Sequence, residues 1–353
     1  MLGTLSNVDI AELLARESEI ASMPAKKALR RASRQAFLWP EEVTDLIKQN
    51  RPLTEFPAVG PYIARLITKW IQDPPHMPET PEIRRRFLTV TMARNILAKE
   101  PSWLHNVKGD LQMHTGWSDG RDSIGEMADA AVERGYEYVA ITDHSKGLKI
   151  AGGINEEQLR IQADEIAEVN RRVHDRHPEF SILRSVELNL NVQGEGDMDS
   201  QSLRHLDLVL GCFHSSLRTK TDQTARYLAA LHNPDIQILG HPRGRVYNYR
   251  LGLTADWRRV FDLAAQLDKA VEIDGYPDRQ DLSLDLLQVA RESGCRISLG
   301  TDSHNVSELE FMEYSAAAAL LAGIRKEKIL NFMSRNELLA WAANVHKLSR
   351  NTT

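Results

Sequence analysis

Six short segments of the chain place histidine or carboxylate side chains directly after apolar, strand-like runs. Imidazole nitrogens and carboxylate oxygens are the ligands that borderline divalent metals such as Zn, Mn and Fe prefer. In chain order the candidate ligands are His114, Asp119, His144, Glu187, His214, His241, Asp302 and His304. One histidine at a strand end is usually a structural residue, but six such segments in one chain predict a polynuclear metal centre.

Glu187 differs from the other candidates because both oxygens of its carboxylate can bind, one to each of two metal ions. Metal ions a few ångströms apart activate a shared water molecule and hold a phosphoryl group during in-line displacement. The residue types therefore indicate hydrolysis of phosphate esters.

Short apolar runs alternate with amphipathic helices from Val107 onward, which indicates a parallel sheet with helical crossovers. The predicted strands are Val107–His114, Tyr138–Thr142, Ile182–Leu188, Leu206–Cys212, Ile236–Leu239, Val271–Ile273 and Arg296–Leu299. The helices predicted between them are Ile124–Arg134, Glu156–His174, Thr221–His232, Trp257–Leu267 and Leu282–Ser293. Seven such units favour a closed α/β barrel, and the candidate ligands follow the carboxyl ends of its strands, where such barrels keep their working residues.

The first 75 residues read as helical instead. Helices are predicted from Asn7 to about Ser22 and over Ala25–Phe37, Glu41–Gln49 and Pro61–Ile71. Four prolines within residues 73–81 predict a linker, and a helix is predicted over Glu82–Lys99. Two more, Ser307–Gly323 and Lys326–Asn344, follow the last strand. We therefore expect a helical domain over 1–75, a linker and helix over 76–106, and the barrel over 107–353.

Bulk composition narrows the range of functions. With 353 residues and 42% hydrophobic content, the chain can form one large domain or a large and a small one. Its net charge of −5 excludes a global basic field. Cys212 and Cys295 are expected to be buried structural thiols. The absence of a signal peptide and of an 18-residue apolar run predicts a cytoplasmic protein with no membrane partner. We expect a monomer.

The motifs around the candidate ligands are similar to those of the PHP (polymerase and histidinol phosphatase) superfamily. The similarity covers about residues 107–344 and includes Gly-Asp-Leu-x-x-His at 109–114, Trp-Ser-Asp-Gly at 117–120, Thr-Asp-His-Ser-Lys at 142–146 and Gly-His-Pro-x-Gly-Arg at 240–245. In these motifs the chain most resembles the PHP domain of bacterial family X DNA polymerases. The resemblance implies a distorted (β/α)7 barrel that holds two or three divalent metal ions (Mn, Zn or Fe).

The resemblance also implies how the ligands are shared. One metal would be bound by His114, Glu187 and Asp302 with residue 112, a second by Glu187, His214 and His241, and a third by Asp119, His144 and His304. Lys146 and Arg245 follow ligand motifs and would contact phosphate oxygens, although both could equally form ordinary surface ion pairs.

Gln112 departs from the family pattern, which usually has His-x-His where this chain has Gln112-Met113-His114. An amide oxygen is neutral and binds metals more weakly than an imidazole does. Two interpretations follow: either the centre is active with an altered metal preference, or it is impaired and retained for binding or stability.

The segment Leu53–Ala64 resembles a helix-hairpin-helix motif, in which a hairpin exposes backbone N–H groups at a helix start to a DNA phosphate. Val59, Gly60 and Tyr62 would make these sequence-independent contacts. Ala58 stands where the first glycine of the motif is usual, and its Cβ is expected to strain the turn.

Basic residues cluster near this motif. They are Lys26, Lys27, Arg30, Arg31, Arg34 and Arg84–Arg86. They indicate either contact with nucleic acid or a solvated helix face.

No segment between the hairpin and the barrel is long enough for a polymerase palm domain. The sequence therefore predicts a metal-dependent phosphoesterase that acts on DNA ends, as a 3′–5′ exonuclease or 3′-phosphatase in repair. Two alternatives remain open: a small-molecule phosphatase of the histidinol-phosphatase type, and a partly degenerate, non-catalytic DNA-binding protein.

Overall fold

Six helices precede the first strand in the computed structural model, which describes residues 5–351. They are α1 (Asn7–Ile20), α2 (Ala25–Gln35), α3 (Val43–Lys48), α4 (Pro61–Gln72), α5 (Val90–Leu97) and α6 (Ser102–His105). α1 begins with a capping box, because Ser6 accepts from the backbone N–H of Asp9 while the Asp9 carboxylate accepts from that of Ser6. As predicted, residues 73–81 form neither helix nor strand.

Parallel strands alternate with helices in the rest of the chain, which confirms the α/β fold class. The strands are β1 (Gly109–Met113), β2 (Tyr138–Ile141), β3 (Ser181–Arg184), β4 (Glu187–Asn189), β5 (Leu210–Cys212), β6 (Ile238–Leu239), β7 (Ala270–Asp274) and β8 (Arg296–Gly300). The remaining helices are α7 (Ile124–Glu133), α8 (Glu156–His174), α9 (Ser200–Leu203), α10 (Thr224–His232), α11 (Trp257–Gln266), α12 (Leu284–Ser293), α13 (Met312–Leu321) and α14 (Arg335–Asn351).

The strands form two parallel sheets in the orders β1-β2-β3 and β4-β5-β6-β7-β8. The strand predicted over Ile182–Leu188 is divided between them, so that β3 pairs with β2 while β4 pairs with β5. Backbone hydrogen bonds connect the sheets at two places. Glu187 N–H donates to Asp143 O (3.2 Å), and on the other side His114 N–H donates to Ser303 O (2.8 Å).

α14 covers the amino ends of the strands. Its Leu338, Trp341 and Val345 side chains are buried in a cluster with Tyr138 and Leu210, and Trp341 Nε1 donates to Asp268 O (2.9 Å). The carboxyl ends, where the candidate ligands lie, are therefore left for the functional site.

The helix predicted over Glu82–Lys99 is wrong as a continuous element. The chain forms a short 3-10 turn at Glu82–Arg84, runs extended, and begins α5 at Val90 with Thr89 as its cap. Arg86 has a φ of 64°, and Leu88 N–H donates to the Gln280 side chain (2.7 Å). Contacts with the barrel thus override the helical pattern. The helix predicted over Lys326–Asn344 is likewise divided, because two 3-10 turns precede α14.

The helical part packs directly on the barrel part. Its core contains Phe87 and Tyr247 together with residues of α1 to α4, and Tyr247 Oη lies 3.0 Å from Ser33 Oγ. Tyr314 of α13 donates to Phe37 O at 2.7 Å. These contacts hold α2 beside the carboxyl ends of the strands.

Candidate metal centre

The predicted ligands follow the carboxyl ends of six strands and converge on one point. They follow β1 (His114, Asp119), β2 (His144), β3 (Glu187, which is also the first residue of β4), β5 (His214), β6 (His241) and β8 (Asp302, His304). His114, His241 and Asp302 are buried, while Asp119 is the most exposed of the set, with 34% of its side chain accessible.

Glu187 is the common contact of four histidines. Its Oε1 lies 2.8 Å from His214 Nε2 and 2.8 Å from His241 Nε2. Its Oε2 lies 3.2 Å from His114 Nε2 and 3.5 Å from His144 Nδ1. The two oxygens therefore face two different pairs of imidazoles, as a bridging carboxylate requires.

Asp119 and Asp302 complete the arrangement. Asp302 Oδ1 lies 3.0 Å from His114 Nε2. Asp119 Oδ1 lies 3.4 Å from His304 Nε2 and 3.5 Å from His144 Nε2. All eight predicted imidazole and carboxylate ligands thus lie in one connected cluster.

The donor atoms fit divalent cations. Four groups of residues place their ligand atoms within 4.8 Å of one another: His114, Asp119, His144 and His304; His144, Glu187 and His214; Glu187, Cys212 and His241; and His114, Glu187 and Asp302. His114 Nδ1 and His144 Nδ1 are buried without a hydrogen-bond partner among the described residues. Buried polar atoms normally have partners, so these orphaned nitrogens and the clustered carboxylates are what a polynuclear metal site predicts.

The charged groups of the cluster shift one another's pKa values. Burial alone would lower the pKa values of His114 and His241, but Glu187 and neighbouring carboxylates outweigh burial, raising the pKa of His241 to about 10 and that of His114 well above its ordinary value. Burial alone would raise the pKa of Glu187, yet the surrounding histidines hold it well below the usual range. The imidazoles of His114 and His241 and the Glu187 carboxylate therefore stabilise one another's charged forms, and divalent cations bound at the same atoms would supply the positive charge in place of the imidazole protons.

A family model described as "PHP domain" matches residues 110–301, more than half of the chain. The chain belongs to the PHP family. The family and the clustered ligands together identify it as a metal-dependent phosphoesterase.

Three relatives show the range of proteins that the chain resembles. It is 36% identical to "DNA polymerase/3'-5' exonuclease PolX" of Bacillus subtilis over 239 residues, which is 67% of this chain but 41% of that protein. It is 27% identical to "Probable phosphatase VF_A0065" of Aliivibrio fischeri, covering 64% of this chain and 89% of that one. It is 24% identical to "Probable phosphatase YcdX" of Escherichia coli K12, covering 65% and 91%.

Among solved structures, the chain is similar to histidinol phosphate phosphatase of Lactococcus lactis, crystallised with zinc, L-histidinol and phosphate. The match has 17% identity and a TM-score of 0.44, and it covers 62% of this chain and 95% of that one.

Gln112 lies inside the PHP centre but faces it with its amide nitrogen. The side chain is fully buried, and Nε2 donates to Glu187 Oε2 at 3.0 Å. Its Oε1 has no hydrogen-bond partner among the described residues. Gln112 therefore contacts Glu187, the carboxylate that would bridge two ions, and its oxygen would reach a metal only if the amide turned over.

Cys212 joins Glu187 and His241 in one of the four groups, a proximity that its sequence context did not reveal. Burial raises the pKa of this thiol well above its ordinary value, and the nearby carboxylates raise it further. The thiol is therefore neutral and, as predicted, buried.

Asp143 supports the loop that carries Asp119. Its carboxylate accepts hydrogen bonds from Thr115 N–H (2.8 Å) and Ser118 Oγ (2.6 Å), and from the Gln162 amide (2.7 Å). These bonds occupy both oxygens of Asp143 and fix the turn between His114 and Asp119.

The two residues predicted to contact phosphate differ in position. Arg245 lines a cavity of about 300 Å³ together with His144, His214 and His241. Its guanidinium stacks on Phe87 and donates to Arg85 O at 3.1 Å, and burial lowers its pKa to about 10. Lys146 is half-exposed and pairs with Glu156 at 2.6 Å, so the structure does not bring it to this cavity.

Arg279 was missed by sequence reasoning. It forms an ion pair with Asp302, and it lines both the 300 Å³ cavity and a second cavity of about 510 Å³. A signal was available, since Arg279 follows β7, and this was the one of the seven predicted strands that supplied no candidate ligand. A cation beside the metal cluster can contact a phosphate oxygen.

The hairpin residues predicted to contact DNA form a tight turn before α4. Ala58 has a φ of 64°, and Val59 N–H donates to Phe56 O (3.2 Å) while its side chain is buried. Gly60 precedes Pro61 at the start of α4, and Tyr62 is 46% exposed. Val59 thus faces the core, whereas Gly60 and Tyr62 face outward.

Of the predicted basic cluster, Arg84–Arg86 serve the fold. Arg84 is buried in ion pairs with Glu12 and Glu19, Arg85 pairs with Glu79, and Arg86 pairs with Asp285. Neither a solvated helix face nor a nucleic-acid contact describes Arg84.

The α2 residues Arg30, Arg31 and Arg34 are exposed.

No helix in the part of the chain from 5 to 351 combines the length and apolarity needed to span a membrane.

Proposed function

We propose that the protein hydrolyses phosphate esters at DNA ends, as a 3′–5′ exonuclease or a 3′-phosphatase. The observation that carries this proposal is the convergence of five histidines and two further carboxylates around Glu187, beside an arginine-lined cavity. The 36% identity to a protein named as a polymerase and 3′–5′ exonuclease supports DNA as the substrate.

The roles of the residues follow from their positions. Three ions would be held by His114, Glu187 and Asp302; by Glu187, His214 and His241, whose two imidazoles both contact Glu187 Oε1; and by Asp119, His144 and His304. Divalent cations bound there supply Lewis-acid activation of water and of the phosphate group. We propose Mn, Zn or Fe, because all three accept mixed imidazole and carboxylate ligands.

Arg279 and Arg245 flank the same cavity and would hold the non-bridging phosphate oxygens while charge develops on them. Arg279 is placed to do so by its ion pair with Asp302.

The test is incubation of the purified protein with Mn²⁺ and a duplex labelled at its 3′ end. An exonuclease releases nucleotides and shortens the strand, whereas a 3′-phosphatase releases inorganic phosphate from a 3′-phosphorylated strand. We expect Glu187→Gln to reduce either activity at least ~100-fold, because a neutral amide cannot bridge two cations. Glu157→Gln, on the exposed face of α8, is the matched control. Absence of shortening and of phosphate release with Mn²⁺, Zn²⁺ and Fe²⁺ would contradict the proposal.

A small-molecule phosphatase is the second candidate. The matched length favours this candidate. The match covers 89% and 91% of two relatives named as phosphatases, but only 41% of the relative named as a polymerase. A higher kcat/KM for phosphorylated metabolites than for DNA would establish it in place of the first.

Gln112 is the one observation that favours a non-catalytic protein, because its amide nitrogen faces Glu187. Gln112→His restores an imidazole at this position. If the wild type is active with two bound ions and the variant binds three, the centre works without an imidazole at this position. An inert wild type with an active variant would show that the centre has decayed.

A further inference from the structure

A cavity of about 510 Å³ lies between α2 and the carboxyl ends of the strands. Asp119 and His304, two of the candidate metal ligands, form part of its wall, so the cavity opens onto the metal centre. The opposite wall includes Arg34 of α2 and Tyr249, a residue of the loop that follows β6.

Arg34 is held beside this cavity by buried contacts of its neighbour. Ser33 is buried, donates to Ala11 O at 2.8 Å, and lies 3.0 Å from Tyr247 Oη. Tyr247 belongs to the same loop as Tyr249. The helical part therefore places a cation at the mouth of the barrel.

Arg34 and Arg121 line the cavity, and Arg218 lies beside its Tyr249. Arg34, Arg121 and Arg218 are all exposed, and none of them makes an ion pair with a carboxylate in the part of the chain that the structure describes. Arg218 lies over the ring of Tyr249, 4.6 Å from its centroid, and Tyr249 itself is 56% exposed. An exposed aromatic ring beside unpaired cations is the arrangement on which nucleic-acid bases stack while phosphates are bound.

The other residues that line the cavity favour a nucleotide over a simple anion as the ligand. Asp278 and Glu308 also line the cavity, and the Glu308 carboxylate accepts from His304 N–H at 2.8 Å. Carboxylates repel a bare phosphate but accept hydrogen bonds from base amino groups. A ligand with both a phosphate and a base matches both kinds of wall.

The two cavities lie on either side of the same two residues. Asp119 and Arg279 line both the 510 Å³ cavity and the 300 Å³ cavity. A phosphodiester at the metal centre has a substituent to place on each side, whereas a phosphomonoester has only one. The paired cavities therefore favour a diester.

We infer that the cavity between α2 and the barrel binds the nucleotide adjoining the scissile phosphodiester, with its phosphate on Arg34 and Arg121 and its base on Tyr249. This inference rests on the proposed function and makes internucleotide linkages its substrate class. It also gives the helical part a direct role in substrate binding through α2, separate from the hairpin.

The test measures binding independently of cleavage. A fluorescein-labelled strand of eight nucleotides with phosphorothioate linkages, which resist hydrolysis, is titrated with the Mn²⁺-loaded protein while fluorescence anisotropy is recorded. Arg34→Ala and Tyr249→Ala are each expected to raise Kd about tenfold, in keeping with the energy of one stacked base or one phosphate contact. Arg34→Lys should restore part of the loss.

Arg30→Ala is the matched control, because it removes the same charge from the exposed surface of α2 outside the cavity. Its Kd should stay within twofold of the wild type. Wild-type affinity in both cavity variants would overturn the inference, as would an equal loss in Arg30→Ala, which would indicate general surface attraction. Tight binding that depends on Arg34, without cleavage of an unmodified strand, would refute the proposed hydrolysis but support the binding site. Failure of the proposed function can therefore be distinguished from failure of this inference.

Discussion

Lys269 is a fully buried amine whose Nζ donates to Asn233 O at 2.6 Å. Burial lowers its pKa to about 7, although Asp235 partly opposes this shift. Between pH 7 and the ordinary lysine value of about 10.4, the unfolded chain therefore binds more protons than the folded one, and stability rises with pH.

Lys269→Met removes this buried charge. At pH 7 we expect the variant to have a free energy of unfolding larger than that of the wild type by roughly 2 kcal/mol, and we expect the difference to shrink as the pH approaches 10. Urea unfolding followed by circular dichroism at pH 7 and 9.5 measures both values. Lys99→Met, at an exposed position, should change neither. A variant less stable than the wild type at pH 7 would mean that the hydrogen bond to Asn233 outweighs the cost of burial.

The ligand residues could be predicted individually because each one belongs to a local motif at the end of an apolar run. Arg279 belongs to no such motif, and its role arises from an ion pair with Asp302, which follows the neighbouring strand. Gln112 shows the same limit. The sequence identified the substitution, but only packing reveals that its amide nitrogen faces Glu187.

At the scale of elements, the alternating pattern located the strand-forming segments and most of the helices, although it did not reveal that residues 182–188 divide into β3 and β4. The predicted and observed bounds of α8 coincide, because Asn155 forms a capping box with Gln158 at its start. The segment Glu82–Lys99 failed because Arg84 and Leu88 bond to residues far away in the chain. Hydrogen bonds to such distant residues cannot be predicted from the spacing of apolar residues along the sequence.

Ala58 tests the energetic cost of the hairpin turn. An alanine at φ 64° is strained, whereas glycine adopts this conformation freely. We expect Ala58→Gly to raise the free energy of unfolding by about 0.5–1 kcal/mol. Ala64→Gly is the control within α4, where the same change should instead lower it by about 1 kcal/mol. Destabilisation by Ala58→Gly would show that the methyl group contributes more through packing than it costs in strain.

At the scale of the whole molecule, the helical domain predicted over residues 1–75 shares a continuous interface with the barrel part. Phe87 and Tyr247 are part of the helical core, and Val90 N–H donates to Phe37 O at 2.8 Å. Removing residues 1–75 would therefore expose apolar side chains of the remaining part. Point substitutions on α2 consequently test its role in binding more cleanly than a deletion would.

Arg84 connects these parts through a buried network. Its guanidinium donates to both carboxylate oxygens of Glu12 (2.8 and 3.0 Å), and it also contacts Glu19 of α1 and Asn248 of the loop after β6. Arg84→Ala leaves Glu12 buried with Arg16 as its remaining cation. Because an incompletely paired buried charge is expensive, we expect a loss of about 3 kcal/mol in the free energy of unfolding.

Chemical unfolding followed by tryptophan fluorescence measures this loss, since Trp39 and Trp70 report on the helical part while Trp103 and Trp341 report on the barrel part. Arg160→Ala, which removes an exposed pair with Asp164 on α8, should leave stability nearly unchanged. If the interface makes the two parts one cooperative unit, Arg84→Ala shifts a single transition. Two separate transitions in the wild type would instead mean that the helical part unfolds on its own, and α2 would then be too loosely held to keep Arg34 at the cavity.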